Sequence, residues 1–240
     1  MPVVVAVIPA WNEAGNIGQV VVAIPRDLCT TIIVVDNAST DATAVVAAAA
    51  GARVVHQPQR GYGYACAAGV QAAQAQGAEV IVFLDGDYSD YPEEMPAVVG
   101  PILDGVADLV LGSRLRAGPL PPGALPGHAV FGNRLIAAIL RARFGVQITD
   151  LGPFHAIRAT TLQQLALREM TYGWTVEMII KAARRRARIM EVPVRYRRRL
   201  SGESKVSGNR VYAQLASALA ACQRAVCTFT NPQMVCMMAV

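Results

Sequence analysis

Short apolar runs alternate with segments of helical periodicity through the first half of the chain, and this alternation is the strongest constraint on its fold. Each run has the length of a strand that is buried on both faces of a sheet. The order predicts an α/β fold with a Rossmann-like, doubly wound and mostly parallel sheet. The predicted strands cover residues 3–9, 31–35, 52–56, 79–84 and 108–112, and the helices between them include residues 16–24, 64–76 and 92–103.

The second half of the chain has longer helices and loops rich in proline and glycine. We expect a mobile loop over residues 115–128, helices over 131–144 and 172–186, and a strand over 188–196. A polar loop over 200–208 and an amphipathic helix over 211–229 follow. No repeat or linker divides the chain. We therefore expect one domain over residues 1–208, followed by a C-terminal amphipathic helix and tail over 209–240.

The composition is that of a folded, largely apolar protein. Hydrophobic residues make up 53% of the 240 residues and charged residues only 16%, which excludes a disordered chain. No apolar run reaches eighteen residues, so no conventional membrane-spanning helix is predicted. The start of the chain reads as a strand and not as a signal peptide. The five cysteines form no CxxC pair, and we expect reduced thiols in the cytoplasm.

Positive charge is concentrated between residues 184 and 199, within a formal net charge of +5. A basic cluster can bind nucleic acid, anionic lipid or a phosphorylated substrate. It can equally be a solvated helix face, and charge alone does not decide between these readings.

Polar side chains follow four of the predicted strands at the point where each strand ends. They are Asn12 and Glu13, Asp36, the Asp85-Gly86-Asp87 triplet, and Ser113 and Arg114. Ligands of doubly wound sheets bind beyond the carboxyl ends of the strands. The sequence therefore predicts one crevice that these four groups share.

The triplet Asp85-Gly86-Asp87 is the strongest single indication of chemistry. Two carboxylates one residue apart at a strand end can face a common point, and Mg²⁺ or Mn²⁺ prefers such oxygen ligands together with substrate phosphates. A bound cation then neutralises a leaving nucleoside diphosphate. Alone, Asp-x-Asp is a weak signal, but here it follows a buried strand, and we predict a divalent metal site at Asp85 and Asp87.

Four further positions have both a functional and a structural interpretation. Asp36 can bind a base or a ribose, or it can cap a turn. Arg114 can hold a phosphate in a bidentate fork, or form a surface ion pair. Glu177 lies in an apolar helical segment, where it is a general base or half of a buried ion pair. The loop that contains Arg199 and Lys205 can close over a pyrophosphate, or be an ordinary solvated loop.

Several enzyme classes lack their sequence signatures here. The chain has no P-loop and no GxSxG motif, which argues against kinases and serine hydrolases. Residues 61–64 contain two glycines before a helix, but the third glycine of GxGxxG comes too late for a dinucleotide site. The three histidines do not have metal-ligand spacing.

In order and spacing, the motifs of residues 3–208 resemble those of family 2 glycosyltransferases of the GT-A fold, in particular the dolichol-phosphate or polyprenyl-phosphate mannosyltransferase-like branch. The motifs are Ile-Pro-Ala-Trp-Asn-Glu at 8–13, Val-Val-Asp-Asn-Ala-Ser at 34–39, Leu-Asp-Gly-Asp at 84–87, Gly-Ser-Arg at 112–114, Thr-Asp-Leu-Gly-Pro-Phe at 149–154, and Glu-Val-Pro-Val at 191–194 through to Ser204 and Lys205.

The resemblance implies an inverting transfer of a hexose from GDP-hexose or UDP-hexose to polyprenyl phosphate, with Mg²⁺ or Mn²⁺ as cofactor. No nucleic acid is involved. Arg114 would meet the acceptor phosphate, and the predicted catalytic set is Asp87, Arg114 and Glu177. The implied donor-binding residues are Pro9, Trp11, Glu13, Asp36, Asp85, Arg199, Ser204 and Lys205.

Three readings remain beside this one: the same chemistry on a soluble acceptor, a sugar nucleotidyltransferase, and a non-catalytic domain that binds nucleotide-sugars. The implied location is the cytoplasm, with the last helix as a candidate contact to the cytoplasmic membrane face.

The chain departs from the family pattern in three places. Asn37 stands where relatives often have a second aspartate, which leaves the base of the donor open. Tyr88 and Ser89 replace a common Leu-Gln, which leaves a further metal contact open. Val130 replaces a basic residue, so the acceptor contact would come from other side chains, with Arg116, His128 and Arg134 as candidates.

Overall fold

The computed structural model describes residues 2–201, which form a single α/β unit around a seven-stranded sheet. The strand order is β3-β2-β1-β4-β6-β5-β7, and only β6 runs antiparallel to its neighbours. The strands are β1 (Val4–Ala10), β2 (Thr31–Asp36), β3 (Arg53–His56), β4 (Val80–Phe83), β5 (Leu109–Ser113), β6 (His155–Arg158) and β7 (Ile189–Pro193).

Between residues 2 and 201, seven helices cover the two faces of the sheet. They are α1 (Ile17–Ala23), α2 (Thr43–Ala49), α3 (Tyr62–Gln74), α4 (Met95–Leu103), α5 (Gly127–Phe144), α6 (Ala159–Leu165) and α7 (Trp174–Arg184). A single 3₁₀ turn, Pro92–Glu94, precedes α4. No helix within residues 2–201 is long and apolar enough to cross a membrane.

Two hydrophobic cores lie on opposite sides of the sheet. Val5 and Val7 of β1 face the core formed with α3, α5, α6 and α7. Val4, Ala6 and Ile8 of the same strand face the core formed with α1, α2 and α4. Because both faces of the strand are buried, its sequence is a continuous apolar run instead of an alternating one. This confirms the predicted doubly wound sheet.

Three predictions differ from the structure in detail. Helix α5 begins at Gly127, four residues before the predicted start, because Pro126 takes an extended conformation that caps the helix, so the predicted loop over 115–128 is too long. The predicted strand over 188–196 ends at Pro193, and Tyr196 makes only an isolated bridge to Asp90. Strand β6 and helix α6 were not predicted at all. The predicted helix over 211–229 lies outside the described residues.

Candidate active site

A crevice of about 380 Å³ opens at the carboxyl ends of β1, β2 and β4. This is the edge of the sheet at which doubly wound folds bind ligands. The predicted site residues that line it are Pro9, Trp11, Glu13, Asp85, Asp87 and Arg199. These predicted residues thus lie together in one crevice, although Pro9 and Arg199 are 190 positions apart in the sequence.

Asp87 lies at the centre of a small hydrogen-bond network inside the crevice. Its Oδ1 accepts hydrogen bonds from the Ser89 amide at 2.9 Å and from the Ser89 hydroxyl. Its Oδ2 pairs with Nη2 of Arg199 at 2.6 Å. Asp87 is only 7% exposed, so its charge is stabilised by these contacts and not by bulk water.

Carboxylates are crowded around this point. Burial raises the pKa of Asp85 well above its usual range, and the charges of Asp87 and Asp90 raise it further. Burial and the charge of Asp87 raise the pKa of Asp90 to about 7. Oδ2 of Asp90 accepts the Asp85 amide at 3.2 Å, whereas Oδ1 is buried without a partner among the described residues. A cation at this point would relieve the repulsion.

The carboxylates supply part of a metal shell and not all of it. Within residues 2–201, no three histidine, cysteine, aspartate or glutamate side chains converge as a ligand set. Two carboxylates are enough for Mg²⁺ or Mn²⁺ where phosphates and water complete the coordination. The donor atoms at Asp85 and Asp87 therefore fit a cation that is bound together with a diphosphate.

Trp11 forms an aromatic surface on another side of the crevice. The guanidinium of Arg60 lies over its ring, 3.3 Å from the ring centroid, in a cation–π contact. Glu13 is 7% exposed, and its Oε2 accepts a hydrogen bond from the Asn16 amide group at 2.7 Å. The aromatic face, the cation and the carboxylate together suit a nucleoside next to a phosphate.

Asp36 does not line the crevice, although its neighbour Asn37 does. Oδ1 of Asp36 accepts the Ser39 amide at 3.1 Å, and Oδ2 lies 3.2 Å from Nδ1 of His56. The carboxylate therefore fixes the turn after β2 in this structure.

Arg114 lies behind the crevice, in a bidentate ion pair with Asp150. Nε is 2.7 Å from Oδ2, and Nη2 is 2.9 Å from Oδ1. The pair lowers the pKa of Asp150 although burial opposes this, and it raises the pKa of Arg114 further. The guanidinium also faces the Tyr196 ring at 4.9 Å, and the Tyr196 hydroxyl lies 3.0 Å from Ser89 Oγ. A continuous chain of contacts thus joins Arg114 to Asp87.

Glu177 lies on α7, outside the crevice lining, and its carboxylate is fully used. Oε2 accepts the amides of Arg168 and Glu169, and Oε1 pairs with Lys181. The structure thus brings Glu177 to the backbone of the segment before α7 and not to Asp87. Ser204 and Lys205 lie beyond the described residues.

The sequence reasoning missed several residues that line the crevice. They are Ala10, Asn37, Arg60, Gly61, Tyr62, Ala65, Gly86, Thr171 and Tyr172. Asp150 was missed as the partner of Arg114. The glycines around Tyr62 were the available signal for a close backbone approach, since a Cβ on Gly63 would lie 2.4 Å from the Met170 Cα.

The sheet order and the acidic crevice define an α/β protein with its ligand site at the carboxyl edge of the sheet. The chain belongs to glycosyl transferase family 2, whose family model matches residues 5–162. It is a glycosyltransferase of the GT-A fold, and the predicted family and enzyme class are confirmed.

Its relatives point to the polyprenyl-phosphate branch of the family. An uncharacterized glycosyltransferase of Mycobacterium tuberculosis is 36% identical over 86% of this chain and 90% of its own length. The undecaprenyl-phosphate mannosyltransferase of Micrococcus luteus is 32% identical over 87% of this chain and 89% of its own length. The polyprenol monophosphomannose synthase of Mycolicibacterium smegmatis is 30% identical, with coverages of 85% and 81%.

A solved structure with the same fold contains a metal ion, a nucleotide-sugar and a small phosphorylated compound. It is glucosyl-3-phosphoglycerate synthase from Mycobacterium tuberculosis, in complex with Mn²⁺, UDP-glucose and phosphoglyceric acid. Its TM-score to this chain is 0.75 at 27% identity, with coverage of 92% of this chain and 80% of that one.

Proposed function

We propose that this glycosyltransferase moves a hexose from a nucleoside-diphosphate sugar to a phosphate oxygen, with inversion at the anomeric carbon. The observation that carries the proposal is the Asp85 and Asp87 pair in a crevice that also contains Trp11, Arg60 and Arg199. The carboxylates suit a cation, the aromatic face suits a nucleoside, and the two arginines suit a diphosphate.

Asp85 and Asp87 are the residues that would hold Mg²⁺ or Mn²⁺ in this crevice. When bound, such a cation neutralises the diphosphate that leaves. Arg199 pairs with Asp87. Donor binding would transfer this guanidinium from the carboxylate to a phosphate oxygen, and we propose Ser204 and Lys205 as further donor-binding residues. The solved relative in complex with Mn²⁺ and UDP-glucose supports this assignment.

The transfer itself is a single displacement. An oxygen of the acceptor phosphate attacks the anomeric carbon, a new carbon–oxygen bond forms, and the bond to the diphosphate breaks. The diphosphate keeps the electron pair of that bond. Because a phosphate oxygen is already anionic at neutral pH, this nucleophile needs no proton acceptor. We assign Arg114 to the acceptor side, where release from Asp150 would free the guanidinium for the phosphate.

We propose polyprenyl phosphate as the acceptor. The relatives from Micrococcus luteus and Mycolicibacterium smegmatis are named for such lipids. The outer face of α5 exposes Phe131 (69%) and Leu135 (42%), and Arg134 and Arg141 are exposed on the same helix. An apolar stripe beside arginines suits the surface of an anionic membrane. We therefore place the enzyme at the cytoplasmic membrane face.

A soluble phosphorylated acceptor is the second candidate. One observation favours it, namely the solved relative that holds phosphoglyceric acid. Both candidates carry a phosphate group, but phosphoglyceric acid also has a hydroxyl oxygen, and attack by that hydroxyl would need a proton acceptor where the lipid phosphate would not.

The test is a transfer assay with the full chain, Mn²⁺, and radiolabelled UDP-glucose or GDP-mannose. Undecaprenyl phosphate in detergent and 3-phosphoglycerate are offered separately. We expect a labelled lipid product, which Asp87→Ala abolishes and the exposed-site control Asp27→Ala retains. Label on phosphoglycerate alone would overturn the lipid acceptor, and no transfer from either donor to either acceptor would overturn the proposed reaction.

A further inference from the structure

The segment between α6 and α7, residues 166–172, forms part of the crevice wall. It begins at Ala166, which has a left-handed conformation (φ 46°) at the end of α6. It ends at Thr171 and Tyr172, whose side chains line the crevice. The placement of these two side chains therefore depends on what holds a loop of seven residues.

Glu177 and Lys181 of α7 hold the first half of this segment. Oε2 of Glu177 accepts the amide of Arg168 at 2.9 Å and the amide of Glu169 at 2.8 Å. Oε1 pairs with Nζ of Lys181 at 2.9 Å, and the same Nζ donates to the Ala166 carbonyl at 2.7 Å. Three backbone groups of the segment are thus hydrogen-bonded to one ion pair, whose two residues are one helical turn apart on α7.

Glu169 connects the part of the segment held by Glu177 to Thr171 in the crevice wall. Its side chain is 9% exposed, and Oε1 accepts both the amide of Thr171, at 3.0 Å, and the hydroxyl of Thr171. Thr171 is therefore fixed through Glu169, whose own amide is fixed by Glu177.

The second half of the segment packs closely on the first turn of α3. A Cβ on Gly63 would lie 2.4 Å from the Met170 Cα, and one on Gly61 would lie 2.8 Å from the Met170 carbonyl oxygen. The Tyr172 ring stacks on Tyr62, with 6.4 Å between ring centroids and 21° between planes. A shift of the segment would move Tyr62, which itself lines the crevice.

We propose that Glu177 is a positioning residue and not a proton acceptor. It acts on the reaction by holding residues 166–172, so that Thr171 and Tyr172 form the donor-binding wall. Both carboxylate oxygens are engaged away from the crevice, and a phosphate nucleophile does not call for a base. This role rests on the proposed function, since the wall matters only if a nucleotide-sugar binds there.

Glu177→Gln and Glu177→Ala separate positioning from base catalysis. Glutamine keeps a carbonyl oxygen for the two amides, so we expect kcat and donor KM within about threefold of the unchanged chain and the same pH profile. Alanine leaves two amides without an acceptor and takes the carboxylate partner from Lys181, so we expect donor KM to rise by about tenfold or more. Glu79→Gln is the matched control, because Glu79 is an exposed carboxylate that accepts the Val3 amide at 3.1 Å.

Amide hydrogen exchange gives a readout that does not depend on turnover. In Glu177→Ala we expect faster exchange at Arg168, Glu169 and Thr171, whereas in Glu177→Gln we expect protection close to that of the unchanged chain. A Glu177→Gln variant with normal exchange and normal donor KM but a kcat lowered about a hundredfold, with one limb of the pH profile lost, would overturn the proposal. Unchanged exchange in Glu177→Ala would also overturn it.

The proposed function can fail separately. If the unchanged chain transfers no hexose, the exchange experiment still decides whether Glu177 holds residues 166–172. The affinities for UDP-glucose and GDP-mannose with Mn²⁺ then decide whether this hold affects nucleotide-sugar binding in the crevice. Equal affinity of the unchanged chain and Glu177→Ala for both nucleotide-sugars would contradict the functional part.

Discussion

Asn37 fixes one edge of the crevice by using its whole amide group. Nδ2 donates to the carbonyls of Gln57 and Gln59 at 3.0 and 2.7 Å, and Oδ1 accepts the Gly61 amide at 2.9 Å. The loop from β3 to α3, which carries Arg60 over Trp11, is therefore tied to the end of β2. Asparagine suits this position because an aspartate could not donate to the two carbonyls.

Asn37→Asp tests this role. A carboxylate cannot donate to the two carbonyls and would face their oxygens, so we expect unfolding free energy to fall by about 2–4 kcal/mol. Gln59→Glu is the control: it makes the same charge change at an exposed side chain of the loop that Asn37 holds, and we expect a change within about 0.5 kcal/mol. Denaturant titration of both variants measures the difference. Equal losses would show that charge, and not the lost donors, is responsible.

Strand ends identified part of the site at the residue scale. Glu13, Asp85 and Asp87 were predicted for this reason and line the crevice, whereas Asp36 and Arg114, predicted for the same reason, do not. The partner of Arg114 was not predicted, because Asp150 is 36 positions away and only the tertiary fold brings them together. The same holds for Glu177, whose partners lie on a loop without periodicity.

Strand β6 is an element that its own sequence pattern does not predict. It has four residues, His155–Arg158, with charged or polar residues at both ends, so it has no apolar run of its own. It becomes a central strand because β4 and β5 pair with it on either side. Elements with their own periodicity were predicted, and those that neighbours impose were not.

Helix α3 depends on one glycine for its close packing on β1. A Cβ on Gly69 would lie 2.3 Å from a Val7 methyl and 3.0 Å from a Val35 methyl. In contrast, a Cβ on Gly100 of α4 would meet no atom within 4 Å. Both glycines lie inside helices, so the pair separates packing from helix propensity.

We expect Gly69→Ala to destabilise the fold by about 1–3 kcal/mol, because the added methyl group forces α3 away from β1. Gly100→Ala should change it by less than about 1 kcal/mol, because alanine is the better helix former but Pro101 disfavours the helical conformation for a side-chain-bearing residue just before it. Chemical denaturation of the two variants measures the difference. A Gly69→Ala protein as stable as Gly100→Ala would show that α3 does not pack on β1 at this distance.

A buried histidine in the sheet should make the stability of the whole molecule depend on pH. His155 of β6 is fully buried and stacks on Phe83 with 5.0 Å between ring centroids. Burial lowers its pKa from 6.5 to about 4, although the carbonyls of Gly152 and Pro153 oppose part of this shift. The folded protein therefore keeps the ring neutral at a pH where the unfolded chain protonates it.

Stability should consequently fall as the pH drops from about 6.5 towards 4, because the unfolded state binds more protons in that window. At pH 5 this contribution is about 2 kcal/mol relative to neutral pH. We expect His155→Leu to lose this part of the pH dependence, whatever its stability at pH 7.5. Denaturant titrations of both proteins at pH 7.5 and 5 give the comparison, and parallel losses would rule out His155 as the source.

The central claim concerns the whole crevice: it binds a nucleoside diphosphate through a divalent cation at Asp85 and Asp87. Calorimetric titration of UDP and GDP, with Mn²⁺ and with EDTA, tests this most directly for the unchanged chain, Asp87→Asn and the control Asp27→Asn. We predict that at least one nucleotide binds about tenfold or more tightly with Mn²⁺, and that only Asp87→Asn removes this gain. Equal affinity in Mn²⁺ and EDTA, or an undiminished gain in Asp87→Asn, would contradict the account.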